Sequence, residues 1–328
     1  MRTLLSVHVV SRLLLLVWIW ASLLAHAQQP PTAPGRLVDL GGRKLHLNCT
    51  GSGSPAVIAE SGSGAFSIDW ALVQPEVAKF TRFCSYDRAG YAWSDPGPAR
   101  DSVEQTVDDL HLLLKTADIR PPYVLIGASL GGLYIRAYQR RYPSQVAGLV
   151  FNEATTERSL SFPIKGSNKL ITDISAQEIH DLFLPLLRDP PPTPALPNTV
   201  EAPFDRLPRE DQVAWLWAIR RFIAGADAAQ SLIAVESWRA EFLALQLQGQ
   251  EHNHPLRGVP LVVLVRTQDA DQDYREQAAQ LAALSTSGRL VLAENSGHEI
   301  HLYRPDLVIR AIHEMVAAAR NQSPQRVH

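Results

Sequence analysis

The chain has 328 residues, of which 46% are hydrophobic and 20% are charged, so it has enough apolar material to bury a core of its own. This composition excludes a disordered, collagen-like or low-complexity protein. The 31 Lys and Arg residues nearly balance the 33 Asp and Glu residues, and the formal net charge is −2. Such a balance provides no basic surface for nucleic acid or for an anionic membrane. The two cysteines, Cys49 and Cys84, are too few for a disulfide scaffold or a cysteine-rich zinc site.

The first 27 residues have the pattern of a secretory signal peptide. Two arginines precede an apolar run, LLLLVWIWASLL at 13–24, and the sequence Ala-His-Ala that ends at Ala27 supplies a cleavage site. The run has about 12 residues, fewer than the roughly 20 that span a bilayer. We therefore predict cleavage after Ala27, export to the periplasm or the medium, and no stable membrane span afterwards. The Pro-rich segment 28–35 is expected to be an exposed lead-in.

Short β-rich runs alternate with helix-period segments from the third run onward. This alternation is typical of an α/β protein, in which a mostly parallel sheet carries helices on both faces. One helix is predicted to begin at Ser102, where Gln105 gives the spacing of a capping box, and another has Pro305 in its first turn. The predicted strands are 36–40, 44–49, 56–59, 82–86, 123–126, 147–151, 261–265 and 289–292.

The strand pattern stops between residues 154 and 257. This stretch contains helix-period segments and the Pro-rich run DPPPTPALP. We predict that 154–257 is a helical cap inserted into an α/β core made of 36–153 and 258–320, followed by a C-terminal tail at 321–328. The predicted mature chain is near the size at which a single core stops growing, which also favours a core with a small lid.

A glycine-rich turn follows the predicted strand 123–126. It reads GASLGG at 127–132 and leads into a segment of helical composition, so Ser129 lies in a G-x-S-x-G sequence between a strand and a helix. This context is typical of a nucleophile elbow, in which glycines allow a tight turn and the start of the helix directs backbone N–H groups at a developing negative charge. We therefore predict that Ser129 is a catalytic nucleophile.

A serine hydroxyl needs a base within hydrogen-bond reach, so a histidine is expected on a later loop. His298 fits best, because it follows the predicted strand 289–292 and precedes the last predicted helix. His301 is the fallback, although a structural role suits it better. His252 and His254 lie in a polar loop and are a weak candidate for a metal pair.

The third member of such a triad is a carboxylate that orients the histidine, and two residues compete for this role. Asp269 follows the strand 261–265 and precedes His298, which agrees with the chain order serine, acid, histidine. Glu153 follows the strand 147–151 and is a lone carboxylate at the sheet edge where catalytic groups collect. The spacing favours neither, and both remain candidates.

Two backbone N–H groups are needed to stabilise the oxyanion that such a nucleophile creates. One is predicted to be that of Leu130, directly after the nucleophile. The other is predicted to come from the loop after the strand 56–59, which reads ESGSGA at 60–65 and whose glycines let the backbone approach a substrate. The N–H of Ser63 is the candidate in this loop.

With these segments in place, the chain resembles the α/β-hydrolase fold superfamily over nearly all of its predicted mature length. The similar motifs are the elbow GASLGG, the loop SGSG at 61–64 in place of the family's His-Gly loop, the segment YDRAGYAWS at 86–94, and SGHEIH at 296–301. Ser61 and Ala128 depart from the pattern, which often has histidine at these positions. The resemblance implies an eight-stranded, mostly parallel sheet, and it places the acid after the sixth strand, as for Glu153, or after the seventh, as for Asp269.

The resemblance also places Cys49 and Cys84 on two neighbouring strands of the sheet. A disulfide between them is therefore predicted in an exported protein. It further implies a serine hydrolase that cleaves a carboxylic ester through an acyl-enzyme on Ser129. An amidase or peptidase with the same triad, and a small-ligand binding protein with little turnover, are the alternatives. The expected partner is a small-molecule ester, no nucleic acid is expected, and the mechanism requires no cofactor or metal.

Overall fold

Eight strands hydrogen-bond into one sheet in the computed structural model, which describes residues 30–251 and 254–322. The predicted signal peptide and most of the predicted C-terminal tail lie outside the described residues. The sheet contains β1 (Arg36–Asp39), β2 (Lys44–Thr50), β3 (Ala56–Glu60), β4 (Phe83–Tyr86), β5 (Tyr123–Ala128), β6 (Val146–Asn152), β9 (Leu261–Arg266) and β10 (Gly288–Ala293), while β7 (Ser161–Ile164) and β8 (Ser167–Leu170) form a separate hairpin. The order across the sheet is β1-β2-β4-β3-β5-β6-β9-β10. Strand β2 runs antiparallel to both of its neighbours, and the other pairs are parallel.

The strands predicted from the sequence are all present, and the predicted α/β class with an eight-stranded, mostly parallel sheet is confirmed. The central strands β3 and β5 are buried along their whole length. Because a parallel sheet is covered on both faces, its central strands are continuous apolar runs, and these runs made the strands recognisable.

Helices cover both faces of the sheet. They are α1 (Gln74–Val77), α2 (Val103–Thr116), α3 (Gly131–Arg141), α4 (Ala176–Arg188), α5 (Arg209–Ala224), α6 (Ala228–Glu251), α7 (Gln272–Ala282), α8 (Ile300–Tyr303) and α9 (Pro305–Gln322). Alternate residues of β3 point to opposite faces, so Ile58 packs in the apolar cluster of α2 and α3, whereas Val57 packs in that of α1 and α9. The predicted cap of α2 is present, since the Gln105 N–H donates to Ser102 Oγ at 3.2 Å. Within the described residues, no helix combines the length and apolar character needed to cross a membrane.

The segment between β6 and β9 contains the hairpin β7–β8 and the helices α4, α5 and α6. Helix α4 packs against α6. The sequence pattern predicted helices in this segment but missed the hairpin, because its strands are mostly exposed and lack an alternation of apolar and polar residues. A tight turn joins the two strands, with φ values of 49° at Lys165 and 82° at Gly166.

A disulfide joins Cys49 on β2 to Cys84 on β4. The two residues are register partners in the antiparallel β2–β4 pair. Their separation of 35 residues along the chain means that the bond closes a loop containing β3 and α1. The bond therefore ties the antiparallel margin of the sheet to its parallel centre.

Removing this disulfide should destabilise the protein. The double variant Cys49→Ala/Cys84→Ala is expected to lower the free energy of unfolding by about 2–4 kcal/mol, because the unfolded chain regains the freedom that the closed loop denies it. Urea unfolding of the variant beside the wild type measures the change. Alkylation of the native, unreduced wild type is the control, and it should find no reactive thiol. Two alkylatable thiols, or an unchanged unfolding free energy, would contradict the bond.

Candidate active site

Ser129 occupies the turn between β5 and α3 with a left-handed backbone conformation, at a φ of 51°. Few non-glycine residues adopt this conformation, and such outliers collect at functional sites. Neighbouring backbone groups hold the turn: the Ser129 N–H donates to Asn152 O at 3.2 Å, and the Thr155 N–H donates to Ser129 O at 2.9 Å. The sharp turn between a strand and a helix has the geometry of a nucleophile elbow.

The glycines around Ser129 are required by the close approach of two backbone segments. A Cβ at Gly131 would lie 2.3 Å from the carbonyl oxygen of Glu60 at the end of β3. A Cβ at Gly127 would lie 2.5 Å from the carbonyl oxygen of Gly131 itself. A side chain at Gly131 would push the elbow away from the neighbouring strand β3, and a side chain at Gly127 would clash with the start of α3 within the elbow itself.

The loop after β3, which begins at Ser61, lies directly against Ser129. A Cβ at Gly62 would be 3.1 Å from Ser129 Cβ and 3.7 Å from its Oγ. Among residues 30–251 and 254–322, no protein acceptor receives a hydrogen bond from the N–H of Ser63 or of Leu130. These two N–H groups are the oxyanion donors predicted from the sequence, and no other described residue occupies them.

The buried side chain of Arg88 holds this loop in place. Its guanidinium donates to the carbonyl oxygens of Ser61 and Gly62, each at 2.6 Å, and pairs with the Glu60 carboxylate at 2.7 Å. Burial raises the pKa of Glu60, while Arg88 and the hydroxyl of Tyr86 favour its ionised form. In the sequence, the segment around Arg88 was only a mark of resemblance, and this role of Arg88 was not predicted.

Ser61, which replaces the family's histidine, also secures the loop. Its hydroxyl accepts a hydrogen bond from Trp70 Nε1 at 2.9 Å and donates to Phe66 O at 3.1 Å. The serine therefore ties the loop to the 3₁₀ turn Ser67–Trp70 that follows it.

His298 lies in the loop after β10, and its side chain lines the same cavity as Ser129 with 42% of its surface exposed. Its Nδ1 is 3.9 Å from Glu153 Oε1. Desolvation alone would lower the pKa of His298, but the carboxylates of Glu153 and Glu299 outweigh it and raise that pKa above its ordinary value. The ring is therefore accessible to a substrate and electrostatically coupled to a buried acid.

The two candidate acids are in different environments. Glu153 directly follows β6, is 2% exposed, and accepts a hydrogen bond at Oε2 from the Arg266 N–H at 2.7 Å. Asp269 is exposed, and its carboxylate has no hydrogen bond or ion pair with any described residue. Of the two, the structure brings only Glu153 to His298, and Asp269 does not take part in the cluster.

Arg266, at the end of β9, lies between the acid and the histidine. Its Nη1 is 2.9 Å from Glu153 Oε1 and 3.3 Å from His298 Nδ1, and its guanidinium lies over the Tyr274 ring. A guanidinium can only donate hydrogen bonds, so this contact favours the tautomer of His298 that carries its proton on Nε2. Arg266 was not predicted from the sequence, although its position at the end of a strand was a usable signal.

His301, the fallback base, is buried against the aromatic ring of Trp70, with the ring centroids 4.9 Å apart. Its Nδ1 accepts from Asn152 Nδ2 at 3.0 Å. Burial lowers the pKa of His301 to about 3, so the ring stays neutral.

The predicted but weak metal pair is His252 and His254. His254 contacts the carbonyl oxygen of Ala283, and His252 lies outside the described residues. The part of the chain that the structure describes contains no group of three or more His, Cys, Asp or Glu side chains placed to hold a metal ion.

A cavity of about 140 Å³ connects these groups beside the nucleophile. The cavity is lined by Ser61, Gly62, Ser63, Ala65, Asp69, Trp70, Ala128, Ser129, His298, Glu299 and His301. Ser129 and His298 thus line one small space together with Ser63, whose N–H has no acceptor among the described residues.

A model of the alpha/beta hydrolase family matches residues 56–311, which is most of the chain. The chain belongs to the alpha/beta hydrolase family. The matched region contains β3 to β10, the elbow, the loop after β3, and both His298 and Glu153. The resemblance inferred from the motifs is therefore confirmed at the level of the family.

Individual proteins of known sequence or structure are similar to this alpha/beta hydrolase. The uncharacterized protein YqjL of Bacillus subtilis (strain 168) is 24% identical over 83% of this chain and 88% of its own length. A 2-hydroxymuconate semialdehyde hydrolase of Pseudomonas sp. (strain CF600) is 31% identical over 41% of this chain and 48% of its own length. Two other curated relatives, each 31% identical, are much longer, and the chain spans 18% and 30% of their lengths.

The fold is shared with solved structures. That of a thermophilic esterase from Thermogutta terrifontis has a TM-score of 0.60 at 20% identity, covering 84% of this chain and 94% of that chain. That of an enol-lactonase from Burkholderia xenovorans LB400 has a TM-score of 0.57 at 19% identity, covering 86% of this chain and all of the other. Likeness at this level of identity concerns the fold alone.

The contribution of the buried ion pair between Arg88 and Glu60, which holds the loop after β3, can be tested by mutation. Arg88→Met should lower the free energy of unfolding by about 3–5 kcal/mol, because it leaves the Glu60 carboxylate buried without its partner. The double variant Glu60→Gln/Arg88→Met should recover part of this loss, since residue 60 then carries no charge that needs a partner. Urea unfolding of the wild type, Arg88→Met, Glu60→Gln and the double variant measures both effects. A double variant at least as unstable as the sum of the two single variants would contradict the pairing.

Proposed function

We propose that this protein is an exported serine hydrolase that cleaves a carboxylic ester through an acyl-enzyme on Ser129. The observation that carries the proposal is that Ser129, His298 and Ser63 line one cavity. The N–H of Ser63 and that of Leu130, which directly follows Ser129, have no acceptor among the described residues. Membership of the alpha/beta hydrolase family supports hydrolase chemistry. A serine rather than an aspartate at the elbow favours acyl transfer over chemistry that uses a carboxylate nucleophile.

In the first half of the reaction, Ser129 Oγ attacks the ester carbonyl while His298 accepts the hydroxyl proton. The negative charge that develops on the carbonyl oxygen is stabilised by the N–H groups of Leu130 and Ser63. Protonated His298 then gives its proton to the leaving alcohol, and the C–O bond of the ester breaks. In the second half, a water molecule attacks the acyl-enzyme by the same route and releases the acid.

Glu153 orients His298 and stabilises the protonated ring that forms in each half. To do so it must accept a hydrogen bond from Nδ1, which lies 3.9 Å away and also contacts Arg266. When the Arg266 side chain moves away from Nδ1, the ring can move towards Glu153 and exchange its Nε2 proton, through solvent, for a proton on Nδ1. This exchange completes the triad and leaves Nε2 free to accept the serine proton. The main-chain bond from Arg266 to Glu153 keeps the acid in place during this movement.

Two observations support export. The sequence pattern of residues 1–27 predicts a cleaved signal peptide. The Cys49–Cys84 disulfide belongs to the mature fold, and disulfides persist in oxidising compartments such as the periplasm or the extracellular medium.

The choice of acid can be tested with two matched variants. Glu153→Gln should lower kcat/KM for a short-chain p-nitrophenyl ester by about 10²- to 10⁴-fold, because a neutral amide does not stabilise protonated His298. Asp269→Asn makes the same chemical change at an exposed residue and should stay within about twofold of the wild type. Steady-state hydrolysis by both folded variants is the measurement. A loss in Asp269→Asn alone, or equal losses in both, would contradict the role of Glu153.

The pH dependence of the same two proteins tests the electrostatics of the histidine. His298 must be neutral to act as a base, so kcat/KM falls as the pH drops through its pKa. The wild type should lose activity around a pKa above the ordinary value of 6.5, and Glu153→Gln should shift this acid limb to lower pH. An acid limb that does not move would mean that Glu153 does not act on His298.

Two other results would replace the ester hypothesis by one of its alternatives. Cleavage of amides in preference to esters would indicate an amidase or peptidase, and binding without turnover would indicate a small-ligand binding protein.

A further inference from the structure

Two residues that line the cavity beside Ser129 each have a buried polar atom that the mechanism does not use. The atoms are Oδ1 of Asp69 and Nε2 of His301, and neither has a hydrogen-bond partner among the described residues. Both side chains are 1% exposed and line the cavity together with Ser129. A buried polar group without a partner is costly, so the two atoms indicate a ligand group that satisfies them.

Asp69 is the acceptor of the pair. It lies in the 3₁₀ turn Ser67–Trp70, which follows the loop after β3, and its Oδ2 accepts a hydrogen bond from the Phe66 N–H at 3.2 Å. That contact fixes the carboxyl group, whereas Oδ1 has no partner among the described residues. Burial and the nearby Glu299 raise the pKa of Asp69 well above its ordinary value, so a partner that can both donate and accept suits either state of the carboxyl group.

His301 is the donor of the pair. Asn152 Nδ2 donates to its Nδ1, so the proton of the neutral ring is on Nε2. Stacking on Trp70 fixes the plane of the ring. The nearest carboxylate oxygen, Glu299 Oε2, is 3.8 Å from Nε2, which is too far for a hydrogen bond.

We propose that Asp69 and His301 bind a hydroxyl group that the substrate carries next to its scissile ester, so that the protein hydrolyses small hydroxy esters. A hydroxyl group donates to Asp69 Oδ1 and accepts from His301 Nε2, which satisfies both atoms at once. The cavity of about 140 Å³ also suits a substituent of a few atoms and not a long acyl chain. This inference rests on the proposed function, because it concerns the substrate of the same site.

Other substituents fit the cavity less well. A carboxylate can only accept hydrogen bonds, so it would leave Oδ1 of an ionised Asp69 without a donor and would be repelled by that charge. An ammonium group would direct its protons at the donor Nε2 of His301. A methyl group would leave both buried atoms without partners, and sites built to bind a hydroxyl reject such analogues strongly.

The test compares isosteric esters that differ by one hydroxyl group. Methyl glycolate is paired with methyl propionate for the acyl side, and 2-hydroxyethyl acetate is paired with propyl acetate for the alcohol side. Methyl glycinate adds the ammonium analogue. In at least one pair, kcat/KM measured by pH-stat titration should be at least about tenfold higher for the hydroxy ester.

His301→Phe keeps the ring stacked on Trp70 and removes the donor, so the ratio within the preferred pair should fall towards one. His111→Phe is the matched control, because His111 is also stacked on an aromatic ring, that of Tyr142, and does not line the cavity. It should leave the ratio unchanged. A retained thermal unfolding midpoint and retained fluorophosphonate labelling show that His301→Phe is folded. Asp69→Asn, which retains an acceptor oxygen for the Phe66 N–H, gives a second variant, in which the ratio should also fall.

The outcomes separate this inference from the proposed function. Turnover without a preference in either pair, a preference for methyl glycinate, or a ratio that survives in both cavity variants would overturn the hydroxyl site and leave the serine hydrolase intact. The absence of fluorophosphonate labelling at Ser129, together with no hydrolysis of any ester, would overturn both.

Discussion

The backbone contact between the elbow and the end of β3 is the constraint on which the site depends. Gly131 leaves no room for a side chain against the Glu60 carbonyl, and this close approach brings the loop after β3 to the nucleophile. Ser129 has a left-handed conformation in the turn after β5, and its side chain lines the cavity together with Ser63. One local packing requirement thus places Ser129 beside the loop that contains Ser63.

Two ion pairs, each between a buried glutamate and an arginine, hold the two sides of the site. Glu60 at the end of β3 pairs with Arg88, which also donates to the carbonyl oxygens of Ser61 and Gly62 in the loop after β3. Glu153 after β6 pairs with Arg266, which contacts His298. Removing one partner of such a pair leaves a buried charge without compensation, so each arginine restricts the position of the loop next to it. The elbow lies between them, because β5 is the strand between β3 and β6.

The parts of this arrangement that could be predicted from the sequence are local in the chain. The elbow around Ser129 is a run of adjacent residues between an apolar strand and a helix, and the central strands are continuous apolar runs. The acid could not be assigned in this way, since Glu153 and Asp269 both follow strands, and only packing decides which side chain is buried beside Arg266. The hairpin around Gly166 was missed because its exposed strands have no apolar alternation.

The account requires above all that Ser129 be an activated nucleophile, and covalent labelling tests this most directly. Purified mature protein would be treated with a fluorophosphonate probe, with Ser129→Ala and heat-denatured wild type as controls, and the modified peptide would be located by mass spectrometry. The account predicts one labelled peptide, containing Ser129, in the native wild type and no label in either control. Failure to label well-folded wild type, or labelling that persists in Ser129→Ala, would contradict it.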